Sequence, residues 1–175
     1  MSHSAFDAGQ PLYAAAATKA IDSWAIGQQG IPGVELMESA GRSLADQVMV
    51  RYPAGRIVVL CGPGNNGGDG YVAARLLRRA GREVDVVALT PVENLSGDAA
   101  VNAERLPGAG PVAFAPELLD GAVVIDAILG TGASGAPRAE LIAVIEAIAE
   151  RASAVIAADV PTGLDADTGE TPGAV

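Results

Sequence analysis

The chain has 175 residues, half of them apolar but only 3% aromatic, and 21 acidic residues against 11 basic ones give a formal charge of −10. That length suits one domain with a substantial core, and the excess of alanine, valine, leucine and glycine suits helices on a sheet better than an aromatic-rich sandwich. Lys19 is the lone lysine and Cys61 the lone cysteine, so a basic stripe for nucleic acid, an internal disulfide and a cysteine cluster for zinc are all excluded.

A single cysteine fits a reducing, cytoplasmic setting. The start, MSHSAFDAGQPLYAAAATKA, lacks the charged and apolar regions of an export signal, and no apolar run approaches bilayer length, so neither export nor a membrane partner is expected. The only histidine is His3, in a leader expected to be mobile, which directs the search for an acid or base toward carboxylates.

In chain order, Ala17, Ile21, Trp24 and Ala25 recur at helical spacing between Leu12 and Gln29, with Gly30 and Pro32 as stop signals. A second helix is predicted after Pro32 and Gly33, with Leu36, Met37, Ala40, Leu44 and Val48 on one face and Arg42 paired with Asp46 on the other. Four short apolar runs then read as strands buried on both faces: RIVVLC, EVDVVALT, AVVIDAIL and SAVIAADV. Helices are predicted between them over Gly70 to Ala80, about Ser96 to Leu106, and Arg138 to Arg151, with one more short strand at PVAF. Strands alternating with helices give an α/β fold with a mainly parallel sheet, preceded by two helices.

Ligands of open α/β sheets bind beyond the carboxyl ends of the strands. Three glycine-rich loops are predicted there: GPGNNGGDG, GTGASGAPR and VPTGLDADTG. Gly62, Gly64 and Gly67 match G-x-G-x-x-G, yet the next strand ends in Thr90 where a dehydrogenase carries a ribose-binding acid. The chain also lacks the G-K-[ST] of a P-loop. The first loop offers backbone N–H groups for a phosphate, and Asn65, Asn66 and Asp69 add side-chain oxygens for a ligand or a hard cation. Asp126 interrupts an apolar strand, where either a cation or loop amides would have to compensate its charge. Asp159 stands at the mouth of its strand, two residues before Pro161; Asp165 and Asp167 read as turn formers, and Cys61 as a small core residue.

Together GIPGVELMESAG, GPGNNGGDGYVAARLL, DAILGTGASG and DVPTGLDADTG resemble, in order and spacing, the YjeF N-terminal domain family of NAD(P)H-hydrate epimerases, from about Tyr13 to Gly169. The resemblance implies a Rossmann-like three-layer αβα sandwich over a single domain, 1–175. It implies interconversion of the R and S hydrates of NADH or NADPH, the alternative being a non-catalytic nucleotide-binding module of the same fold. The substrate would contact Asn65, Asn66, Gly67, Gly68 and Asp69, then Gly130, Thr131, Gly132, Ala133, Ser134, Gly135 and Ala136, and finally Asp159. One potassium ion per subunit would fall to Asn66, Asp126 and Thr162. The reading assigns Asp159, tuned by partial burial, as the general acid/base.

Thr162 stands where the family commonly has serine, keeping the hydroxyl, while Ala133 and Ala136 are smaller than usual. A homodimer is expected, as is fusion to, or cooperation with, an NAD(P)H-hydrate dehydratase. Family members continue beyond the VPTGLDADTG turn, so the chain is expected to end short of the full domain and to lack a sheet edge.

Overall fold

The computed structural model describes residues 13–175; His3, and Leu12 at the predicted start of the first helix, lie outside them. Helices α1 (Ala15–Gly27) and α2 (Gly33–Arg51) precede β1 (Ile57–Cys61), α3 (Asn65–Arg79), β2 (Val84–Ala88) and α4 (Gly97–Glu104). The chain then runs through β3 (Val123–Ala127), α5 (Ala139–Arg151) and β4 (Ala154–Ala157), with short 3-10 turns at Val92–Asn94 and Pro116–Leu119.

The strands form one four-stranded sheet in the order β2-β1-β3-β4, every neighbouring pair parallel. Side chains alternate across such a sheet, and each face gathers its own core. Ile57, Val59, Cys61 and Ile125 pack with Leu44 and Val48 of α2 and Tyr71 and Leu77 of α3. On the reverse, Val58, Leu60 and Val124 pack with Val144 and Ile148 of α5. Helices on both faces of a parallel sheet make the predicted three layers, and β1 and β3, buried along their whole length, explain why those runs are continuously apolar.

β4 forms the other border of the sheet and is only partly buried, with Val155 46% exposed. PVAF is not a strand: Val112 makes a single bridge to Val87, and no ladder extends from it. Gly30, at φ 69°, closes α1 as predicted, turning the chain so that the Ile31 N–H reaches the Ala25 carbonyl at 3.1 Å.

α1 departs most from its pattern. Of its spaced apolar residues only Ala25 is buried, while Ile21 and Trp24 are about half exposed. In α2, Met37, Leu44 and Val48 are buried as expected but Ala40 is exposed. Arg42 pairs with Glu38, one turn before it, at 3.3 Å, and not with Asp46; a carboxylate N-terminal to the cation is the better-oriented pair.

The order β2-β1-β3-β4 sends the chain to opposite sides after β1 and after β3. These two strands therefore flank the switch point where their following loops diverge and leave a crevice. The close fit there begins at Gly62, whose N–H donates to the Ala127 carbonyl at 3.0 Å. A Cβ on Gly62 would lie 1.9 Å from the Ile128 carbonyl oxygen, so only glycine lets the two strand ends meet.

Candidate functional site

NNGGDG is helix, not loop. α3 starts at Asn65 with Gly64 as its N-cap, so Asn66, Gly67, Gly68 and Asp69 form its first turns. None of these glycines has a positive φ, so the requirement is for closeness, not for a turn. A Cβ on Gly67 would sit 2.0 Å from the Gly62 carbonyl oxygen, and one on Gly70 would press on Ala127 and Cys61. α3 is thereby drawn onto the ends of β1 and β3, and its first turn faces the crevice.

Asn66 is buried, and neither its amide oxygen nor its amide nitrogen has a protein partner. A buried amide left unmatched is costly, and in a crevice it marks a place for a ligand atom. Next to it, the Gly130 backbone comes so close that a Cβ there would lie 2.6 Å from Asp159 Oδ2 and 3.4 Å from the Asn66 side chain. Asn66, Gly130 and Asp159 are thus brought together from the first turn of α3 and the loops after β3 and β4.

Asp159 is exposed at the mouth of β4, contrary to the partial burial expected of it. Its Oδ2 accepts the Thr131 N–H at 2.7 Å, which ties the β4 loop to the loop after β3. The group tuned by burial is Asp69. Removal from water, then the charge of Asp159, then that of Asp22 on α1, push its carboxyl up to about 7. Sequence reasoning placed Asp69 in the site only as a contact; its tuning comes from burial and then from Asp159 and Asp22, which no spacing pattern connects to α3.

Asp126 is buried at the end of β3 and takes three protein donors. Its Oδ1 accepts the Thr162 hydroxyl at 2.7 Å and the Ile128 N–H at 3.2 Å, and its Oδ2 accepts the Thr162 N–H at 2.8 Å. Burial raises its pKa, and the Thr162 hydroxyl and N–H, followed by the Ile128 N–H, act in the opposite direction. The Thr162 hydroxyl in turn accepts the Leu129 N–H at 3.1 Å. Loop amides therefore supply much of the compensation that a carboxylate in an apolar strand requires. A carboxylate has roughly four lone-pair sites, so Asp126 retains capacity for a cation beside these donors.

The remaining candidates divide. Gly130, Thr131, Gly132, Ala133, Ser134, Gly135 and Ala136 form an irregular loop, closed by the Ala133 N–H on the Gly130 carbonyl at 2.9 Å and turned at Gly135, φ 77°. Asn65 is exposed, while Gly67 and Gly68 are buried and serve packing; Gly68 lies against Met37 of α2. Asp165 is the predicted turn former, held below the usual carboxylate range by the Thr168 and Asp167 N–H groups. Asp167 does more: its Oδ1 accepts the Ala15 N–H at 2.8 Å, joining this loop to the start of α1. Cys61 is buried, and burial raises its thiol pKa, so it is a core residue and no nucleophile.

Residues 33–175 match the family model described as YjeF-related protein N-terminus. The chain is 42% identical to the NAD(P)H-hydrate epimerase of Rhodopirellula baltica, the match covering 86% of this chain and 65% of that protein. It is 39% identical to the NAD(P)H-hydrate epimerase of Pirellula staleyi, over 91% and 75% of the two chains. It is also 41% identical to the bifunctional NAD(P)H-hydrate repair enzyme Nnr of Escherichia coli, over 83% of this chain but only 29% of that protein. Among solved structures, the crystal structure of the yeast protein YNL200c superposes with a TM-score of 0.71 at 26% identity, covering 89% of this chain and 72% of that one. The chain thus spans just under two thirds of the Rhodopirellula relative and under a third of the bifunctional one. Among the described residues, no helix is long and apolar enough to cross a membrane.

Proposed function

Because the chain belongs to the YjeF-related N-terminal family, we propose that it is an NAD(P)H-hydrate epimerase, an isomerase that interconverts the R and S hydrates of NADH and NADPH. The observation that supports this most directly is the unpartnered, buried amide of Asn66 facing Gly130 and Asp159 at the switch point of the sheet. A polar crevice with unmatched donors and acceptors suits a polar ring bearing a hydroxyl better than an apolar ligand.

Epimerisation requires that the hydroxyl leave one face of the ring carbon and that oxygen return to the other. A proton delivered to the hydroxyl lets it depart as water, the ring nitrogen stabilises the resulting cation, and water adds to the opposite face and gives the proton back. Asp159, exposed and held by the Thr131 N–H, is the proposed carrier of that proton. Asp69, pushed up to about 7 by burial and then by the charge of Asp159, lies within electrostatic reach of that carboxylate. The loop from Gly130 to Ala136 and the first turn of α3 hold the rest of the substrate, so that remote binding serves positioning.

Asn66, Asp126 and Thr162 are the proposed potassium ligands. An amide oxygen without a partner, a carboxylate with spare capacity and a hydroxyl form an all-oxygen set, which suits a monovalent or other hard cation and not zinc. When bound, such an ion would supply positive charge between the loops. A homodimer and cooperation with an NAD(P)H-hydrate dehydratase are proposed on the same family grounds, and the two-activity names of longer relatives support the second. The test is to mix R-hydrate with an S-specific dehydratase: this protein should accelerate complete consumption of the R form. A protein that binds the hydrate but does not accelerate it is a binding module.

A further inference from the structure

Beyond the Asn66–Asp159 crevice, a second cleft of about 480 Å³ opens where the loops after β1, β2 and β3 meet the start of α5. Leu89, Ile128, Leu141 and Pro63 form its apolar walls, and Thr90 and Arg138 are among its polar groups. Its size is that of a small-molecule site. The loop from Leu129 to Gly135 borders it and also carries Gly130 and Thr131 of the crevice, so one extended ligand can occupy both.

Three features identify what the cleft accepts. Apolar walls around a volume of this size suit a heterocyclic base. The end of β2, where this cleft lies, is where sheets of this kind hold the sugar of a bound nucleotide. There the chain has Thr90 in place of an acid, and an acid at this point favours a free ribose 2′-hydroxyl while a nearby arginine accommodates a 2′-phosphate. Arg138 is exposed and makes no ion pair with a described residue, so its guanidinium is available in a chain of strongly negative charge.

We propose that this cleft receives the adenosine half of the dinucleotide hydrate and that Arg138 pairs with its 2′-phosphate, so that NADPH hydrate is preferred over NADH hydrate. The proposal rests on the epimerase reading, but its test does not need turnover. Binding of adenosine 2′,5′-bisphosphate and of AMP to the purified protein is measured by calorimetry. The bisphosphate should bind at least about tenfold more tightly, the worth of one charge-assisted pair. Arg138→Gln, a change at an exposed and unpaired side chain, should abolish that preference, and Thr90→Asp should reverse it toward AMP. Equal binding of the two by the unaltered protein, or an undiminished preference in Arg138→Gln, would overturn the assignment. A protein that shows the preference but never epimerises the hydrates would overturn the epimerase reading alone. One that epimerises both hydrates with no preference would overturn only the role of Arg138.

Discussion

Thr162 gives both its N–H and its hydroxyl to Asp126, one to each carboxylate oxygen, from a position 36 residues further along the chain. This pair fixes the end of β3 against the loop after β4, and through the Leu129 N–H it also orders the start of the loop from Gly130 to Ala136. Thr162→Val removes the hydroxyl and leaves the buried Asp126 Oδ1 one donor short and the part-buried Leu129 N–H without its acceptor. It should cost about 1.5–3 kcal/mol in denaturant unfolding, whereas Thr162→Ser, which keeps the hydroxyl, should lose only a small part of that.

The glycines of the first motif separate by what surrounds them. Gly62→Ala puts a methyl group against the Ile128 carbonyl, and Gly67→Ala puts one against the Gly62 carbonyl, both backbone atoms of packed elements. Each should destabilise by about 1–3 kcal/mol or more. Gly64→Ala, with nothing within 4 Å of the added carbon, should leave the unfolding midpoint almost unchanged.

This contrast also shows what the sequence made legible. Continuous apolar runs and helical spacings located the four strands and five helices of the described residues, because burial on both faces leaves an unbroken apolar signature at β1 and β3. The glycines were legible as a cluster but not in their roles, since a residue kept for close approach and one kept for a turn look the same in a string. The site carboxylates show the same limit. Asp126, Asp159 and Asp69 were each recognisable as candidates, but Asp126 and Asp159 take their partners from Thr162 and Thr131, and Asp69 is set by burial and by Asp159, all distant along the chain. Trp24 and Ile21 mark α1 by their spacing, yet both are about half exposed, because helical periodicity reports an apolar face without saying whether anything covers it.

Asp69 should give stability a characteristic pH dependence. Its pKa is raised from the ordinary 3.8 to about 7 by folding, so the folded chain holds a proton that the unfolded chain releases. The contribution is fully present below the lower value and is lost as pH rises through the higher one. In urea titrations across this range, Asp69→Asn should gain on the unaltered protein as pH increases, with the difference levelling off once pH exceeds about 7. A gap that stays constant with pH would show that Asp69 titrates as an ordinary carboxyl.

The proposed cation site predicts a specific ion effect. Potassium chloride should raise the thermal midpoint more than choline chloride at equal ionic strength, because binding to the folded state alone stabilises it. Asp126→Asn should remove the difference between the two salts. Equal responses of the unaltered protein to both would contradict the assignment of Asn66, Asp126 and Thr162 as potassium ligands.

In the proposed epimerisation, Asp159 moves the proton that lets the ring hydroxyl leave and return. The most direct measurement follows R-hydrate consumption in the presence of excess S-specific dehydratase, with either the unaltered protein or Asp159→Asn. Asp159 is exposed, so its replacement should leave the fold intact, and the rate of R-form consumption should fall by about 10²-fold or more, the scale of a lost general acid/base. Asp159→Asn equilibrating the two hydrates as fast as the unaltered protein would contradict the claim.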